Sequence, residues 1–139
     1  MRYILSFPAI ALVIIAFNVL GLAGQWMDSE SLVWDGMLPS GSEFYLKVSD
    51  FFIMAGLVAL FIEIIKAARL GPGAIIDHML STATFIVALV EFLLVPFCGT
   101  AAFFLLTVMS LIDVVAGYSV SILAARRDFS VGSNDGGGL

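Results

Sequence analysis

Four apolar runs alternate with short polar breaks along the chain, at about residues 3 to 24, 46 to 69, 75 to 97 and 101 to 125. Each reaches the ~20 residues that a helix needs to cross a hydrocarbon layer of ~30 Å. Together they fill most of the 139 residues. The pattern therefore predicts an all-α membrane protein, one domain over residues 1–127 with four transmembrane helices in an up-down-up-down bundle. RLGPG at 69–73 supplies a glycine helix stop followed by proline, and VPFCGT at 95–100 is equally short. Such turns force neighbouring helices to lie antiparallel. An outer loop at 25–45 joins the first two spans, and the segment DFSVGSNDGGGL at 128–139 has the polar, glycine-rich character of a flexible cytoplasmic tail.

Inside the runs, small and polar residues recur at a spacing of three and four, which keeps one face of each helix turned toward its neighbours. The third run carries Asp77, Ser81, Thr84, Ala88, Glu91 and Val95, and the fourth carries Ser110, Asp113, Gly117, Ser121 and Ala124. The second has Gly56, Ala59, Glu63 and Lys66; the first has Ala11, Asn18 and Gly21. At ~100° per residue each set falls within an arc of about 80°. Measured from the outer end at ~1.5 Å per residue, Asn18 and Glu91 lie about 8 to 9 Å deep, Ser110 about 13 Å and Asp113 about 18 Å. Thr84 follows at about 20 Å, and Ser81 with Glu63 at about 25 Å. The expectation is a ladder of seven groups that serves as an interhelical polar network or as a proton path. Because a charge at mid-bilayer costs at least ~2.5 to 3.5 kcal/mol, Asp113 is expected to be neutral, paired or beside water. At the cytoplasmic end Lys66, Asp77 and His78 form an expected ion-pair cluster, with Asp77 favoured by the helix N-terminal dipole and paired to Lys66 across the turn.

Composition agrees with the pattern: the chain is 61% hydrophobic and 12% charged, against about 45 to 50% and about 25% in soluble domains. Six Lys and Arg without a basic stripe disfavour a nucleic-acid partner. Arg2, Lys66, Arg69, Arg126 and Arg127 share one side of the four-span arrangement and only Lys47 falls on the other, so the positive-inside rule places both termini in the cytoplasm. The N-terminal run also has signal-peptide features, but its apolar region is longer than a typical signal core, and it is read as an uncleaved first span. The outer loop sets Asp28, Glu30, Asp35 and Glu43 among Trp26, Met27, Val33, Trp34 and Met37. It reads as an interfacial segment with its indoles at headgroup level, or as a docking surface for a partner.

The single Cys98 leaves no internal disulfide and no CxxC motif, and is expected to behave as a small apolar residue. One histidine with two hard carboxylates is a weak metal signal, and His78 alone rules out a bis-His haem within one chain. No cofactor and no metal are expected. No nucleophile, base and orienting acid occur at plausible spacing, and there is neither HExxH nor a phosphate loop, so the chain reads as a non-enzyme.

Two functional classes fit the stripes. In an accessory or structural subunit, small residues allow close helix approach and buried polar groups bond across helices, while the outer faces meet the lipid bilayer, a larger membrane complex or further copies. In a proton-coupled carrier, Glu91 and Asp113 would exchange protons along the ladder; no span, however, is broken by a central Gly or Pro, as transporter sites often require. The small multidrug resistance family resembles this chain in having four short spans and a membrane Glu. That family carries its Glu in the first span, where this chain offers only Asn18, so no residue is carried over. GLVALFIEIIKAARLGPGAIIDHMLSTATFIVALVEFLLVPF and FFLLTVMSLIDVVAGYSVSILAARRDFSV are similar to an uncharacterised group of small bacterial inner-membrane proteins, over roughly residues 54 to 131. That resemblance implies a bacterial inner membrane and no particular activity.

Overall fold

A computed structural model of the protein describes residues 7–24, 31–68 and 74–132. The expectations for Arg2, Trp26, Met27, Asp28, Glu30, the turn at 69–73 and residues 133–139 lie outside the described residues, as do the side chains of Ala124, Arg126 and Arg127. The elements in chain order are α1 (Ala9–Leu22), β1 (Leu32–Met37), β2 (Glu43–Lys47), α2 (Val48–Ala67), α3 (Ala74–Leu94) and α4 (Ala101–Gly132), with a 3-10 turn at Pro96–Cys98 between α3 and α4. Three helical stretches are long and apolar enough to cross a membrane: Val48–Ala67, Ile75–Leu94 and Ala101–Leu123.

The first apolar run becomes a shorter helix than its length of sequence suggests. Pro8, with φ -63° and ψ 125°, stands at the N-cap of α1 in extended conformation, and its ring has no N–H to continue a ladder toward the N-terminus. At the other end Ala23 and Gly24 turn the chain, and Gly24 takes φ 68°, the left-handed conformation that closes helices at glycine. The 14 residues between rise about 21 Å, less than the ~30 Å of a hydrocarbon layer.

α4 departs in the opposite direction. Thr100 starts it, accepting the Phe103 N–H on its side-chain oxygen at 3.2 Å. The helix continues to Gly132, past the expected end at 125 and into the first residues of the expected tail. AARRDFSV contains no Gly or Pro to stop it.

The segment expected as an outer loop holds structure, within residues 31–47, that the all-α expectation lacks. β1 and β2 form an antiparallel hairpin pairing Trp34 with Leu46, Asp35 with Tyr45 and Gly36 with Phe44, with a bulge between Leu32 and Trp34. One face carries Trp34, Phe44 and Leu46, with the indole 6.0 Å from the Phe44 ring. The other carries Asp35, Glu43 and Tyr45, whose hydroxyl donates to Glu43 at 3.2 Å. Aromatic side chains favour this pleated, half-covered setting. β2 runs straight into α2, where Asp50 accepts the Lys47 N–H at 2.9 Å, so the second helix begins at Val48 rather than at 46.

α4 lies at the centre, packing most extensively on α2 and α3, while α1 lies mainly against α2 and touches α3 only lightly. The core is aromatic and aliphatic: Phe17, Phe103, Ile10 and Leu106 are fully buried. Phe17 stands 4.9 Å from the Phe103 ring and edge-on to Phe52 at 5.4 Å. The outward faces of the helices expose large apolar side chains such as Leu57, Phe61, Val87 and Leu93, whereas Glu63, Ser81, Thr107, Ser110 and Asp113 are buried. Polar inside and apolar outside is the arrangement a lipid solvent favours.

Candidate functional site

The polar faces of the four helices meet in two groups. The first lies where α2 ends and α3 begins, away from the hairpin. Glu63 is 5% exposed, and its Oε1 accepts the Ala9 N–H at 2.6 Å and the Lys66 Nζ at 3.1 Å. Lys66 also donates to the Phe7 carbonyl at 3.3 Å. Pro8 offers no side-chain cap, so a carboxylate from α2 satisfies an orphan N–H of α1 and sits at the positive end of its dipole. Here the expected proton-path residue works as a cap supplied by another helix.

Around this pair a cavity of about 20 Å³ is lined by Glu63, Lys66, Asp77, His78, Ser81 and Asp113. Ser81 on α3 and Asp113 on α4 face each other across this cavity. His78 shares a hydrogen bond with Ser121 at 2.5 Å and lies 5.3 Å from the Tyr118 ring. Gly117 makes room for the imidazole, since a Cβ there would come within 2.7 Å of His78 Nδ1. Two buried oxygens, Asp77 Oδ1 and Asp113 Oδ2, have no hydrogen-bond partner among the described residues.

The expected pairing of Asp77 with Lys66 is not made. Among the described residues the ion pair of Lys66 is with Glu63, one turn earlier on the same helix, because Nζ is drawn toward α1 by the Phe7 carbonyl. Asp77 and Lys66 nevertheless line one cavity. The expected cluster of Lys66, Asp77 and His78 thus surrounds one cavity with Glu63, Ser81 and Asp113, three of the seven residues of the expected ladder.

The second group lies nearer the hairpin end. Asn18 donates through Nδ2 to Glu91 Oε2 at 2.8 Å and to its own-helix Ile14 carbonyl at 3.1 Å, tying α1 to α3. The Cys98 thiol donates to Asn18 Oδ1 at 3.6 Å. Cys98 is fully buried, and burial, reinforced by the negative charge of Glu91, pushes its thiol up to about 11. The thiolate is therefore scarce at neutral pH. N-ethylmaleimide at pH 7 is expected to leave Cys98 unmodified in the folded protein and to label it fully once detergent denaturation exposes it, a contrast that mass spectrometry measures.

Ser81 and Glu91 are ten positions apart on α3, about 15 Å along its axis. Between the two groups lie Ala88, Phe103 and Leu106, all fully buried. The hydroxyls expected to bridge this interval donate within their own helices: Thr84 to Leu80 O at 2.9 Å, and Ser110 to Thr107 O at 2.7 Å. Thr107, absent from the expected ladder, donates to Phe103 O at 2.9 Å. Thr84 lines the outer groove beside Asn18 and Glu91 rather than the cavity around Asp113.

Sequence reasoning left out Ser121 as a partner of His78, Cys98 as a donor to Asn18, and the Phe7 carbonyl and Ala9 amide as partners of Lys66 and Glu63. Ser121 stood on the polar stripe of its run, and Pro8 stood inside the first apolar run as a break in helical hydrogen bonding; both signals were present. Among the described residues no three His, Cys, Asp or Glu side chains converge as a metal-binding group.

The chain matches no known family, no curated protein and no solved structure.

Proposed function

We propose that this chain is a non-enzymatic accessory or structural protein of a bacterial inner membrane, crossing it four times in up-down-up-down order with both termini in the cytoplasm. Its outer faces would dock a larger membrane complex or further copies of the chain. The observation that carries the proposal is how the polar side chains of the helices are engaged. Glu63 with Lys66 joins α2 to the start of α1, Asn18 with Glu91 joins α1 to α3, and His78 with Ser121 joins α3 to α4. Interhelical polar bonds of this kind hold helices together where lipid removes the hydrophobic drive between them. The shortness of α1 is compatible with a fourth crossing, because Lys66 and Glu63 satisfy the backbone where it leaves helical form at Phe7 and Ala9.

One observation favours the second reading, a protein that exchanges protons. The cavity beside Asp113 is large enough for one water molecule, and two carboxylate oxygens there lack partners among the described residues. Against a continuous path stand the fully buried apolar residues between Asp113 and Glu91. Purified protein in liposomes with an internal pH dye separates the two. The accessory role predicts that wild type, Asp113→Asn and Glu91→Gln all show the proton leak of empty liposomes; flux in the wild type that either variant abolishes would establish the proton path instead.

A further inference from the structure

α1 and α3 meet chiefly through Asn18 and Glu91, and below that contact they diverge to leave a groove of about 350 Å³. That volume lies within the ~300 to 1,000 Å³ range of small-molecule sites, which combine apolar walls with a few placed polar groups. The walls are apolar, with Ile15 and Val19 on α1 and Val87 on α3, all exposed. Its polar groups are Thr84, whose hydroxyl donates to Leu80 O, and the Asn18–Glu91 pair. Glu91 accepts a hydrogen bond from Asn18 on Oε2, and among the described residues no cation pairs with it. A carboxylate inside an apolar helix is costly without a positive partner.

We propose that this groove is a binding site for a lipophilic cation, whose apolar body lies along α1 and α3 and whose positive charge rests against Glu91. Charge selects this occupant over the others that an apolar groove in a membrane helix pair could take. A neutral acyl chain would fill the walls and leave the carboxylate unpaired. An anionic phospholipid headgroup would bring a phosphate toward a carboxylate, and a zwitterionic one would bring its phosphate together with its ammonium. A second copy packed through the same groove about a two-fold axis would bring a second Glu91 toward the first. The site is distinct from the Asp113 cavity and does not depend on the accessory role proposed above.

Equilibrium binding of radiolabelled tetraphenylphosphonium to the purified full chain in neutral-lipid nanodiscs tests the proposal. The wild type is expected to bind saturably, and tetraphenylsilane, the neutral analogue of similar shape, is expected not to compete. Glu91→Gln, which keeps an acceptor for Asn18, should weaken binding at least tenfold. Ala83→Phe, at an exposed groove-lining position of α3, should block the site sterically while Glu91 stays in place; helical circular dichroism confirms that both variants fold. Absence of saturable binding to the wild type, unchanged binding by folded Glu91→Gln, or equal competition by tetraphenylsilane would each overturn it. So would a stable wild-type dimer that Ala83→Phe converts to monomer, since the groove would then be an interface between copies.

Discussion

Glu63→Ala is expected to destabilise the folded protein by about 3 kcal/mol, the largest effect of any single polar substitution in the helices. The loss has two sources. The Ala9 N–H at the start of α1 loses its acceptor, and Lys66 loses its ion-pair partner while still held near the Phe7 carbonyl. An unsatisfied buried donor costs ~1 to 3 kcal/mol, and breaking a buried pair from one side adds to that. Glu63→Gln retains a carbonyl oxygen for Ala9 and is expected to lose roughly half as much. Unfolding in mixed detergent, followed by circular dichroism, measures both. Equal losses for Gln and Ala would show that the charge, and not the capping bond, is what matters.

Phe103→Ala should cost about as much for an entirely different reason. Phe103 has no exposed surface and its ring lies against Phe17, which in turn meets Phe52, so one side chain links α4, α1 and α2. Phe→Ala in packed cores costs ~3 to 5 kcal/mol. The lower end, about 3 kcal/mol, applies here because lipid or detergent is nearly as apolar as the core, leaving cavity and lost contacts as the main terms. The same unfolding measurement checks it. Phe104→Ala is the control: it neighbours Phe103 but is exposed, and is expected to change stability by less than about 1 kcal/mol.

The inward direction of the polar faces was legible in the sequence, because helical geometry ties a spacing of three and four to one side of a helix. Gly56, Ala59 and Glu63 on α2, Ser81 and Ala88 on α3, and Ser110, Asp113 and Gly117 on α4 are all buried. The partners were not legible. Depth along a span placed Asn18 level with Glu91, and that pair forms. Depth also placed Glu63 as a rung beside Ser81, whereas Pro8 ends the first helix at just the point where a carboxylate can reach its open N–H. Lys66 was expected to turn toward Asp77, yet a flexible four-carbon stem follows the nearest acceptors, and those lie on α1 and one turn back on α2.

The hairpin was hidden for a different reason. In LVWDGM and EFYLK the alternation of apolar and polar positions is short and imperfect, and in a chain this apolar the same aromatic residues read equally well as an interfacial belt. A two-stranded hairpin is marginal alone, and here it continues directly into α2, whose first turn is fixed by Asp50. Strand order at the mouth of a helix depends on that junction, which no periodicity records.

Polar side chains inside the helices tie them to one another. Asn18 and Glu91 form the one such bond between α1 and α3 among the described residues, so a double-mutant cycle with Asn18→Ala, Glu91→Ala and the pair isolates it. In membrane proteins such bonds average ~0.6 kcal/mol and reach ~1.7 kcal/mol. Detergent unfolding is expected to give a favourable coupling of about 0.5 to 1.5 kcal/mol for this cycle. A coupling of zero, with the two single losses simply adding in the double variant, would mean that Asn18 and Glu91 do not tie α1 to α3.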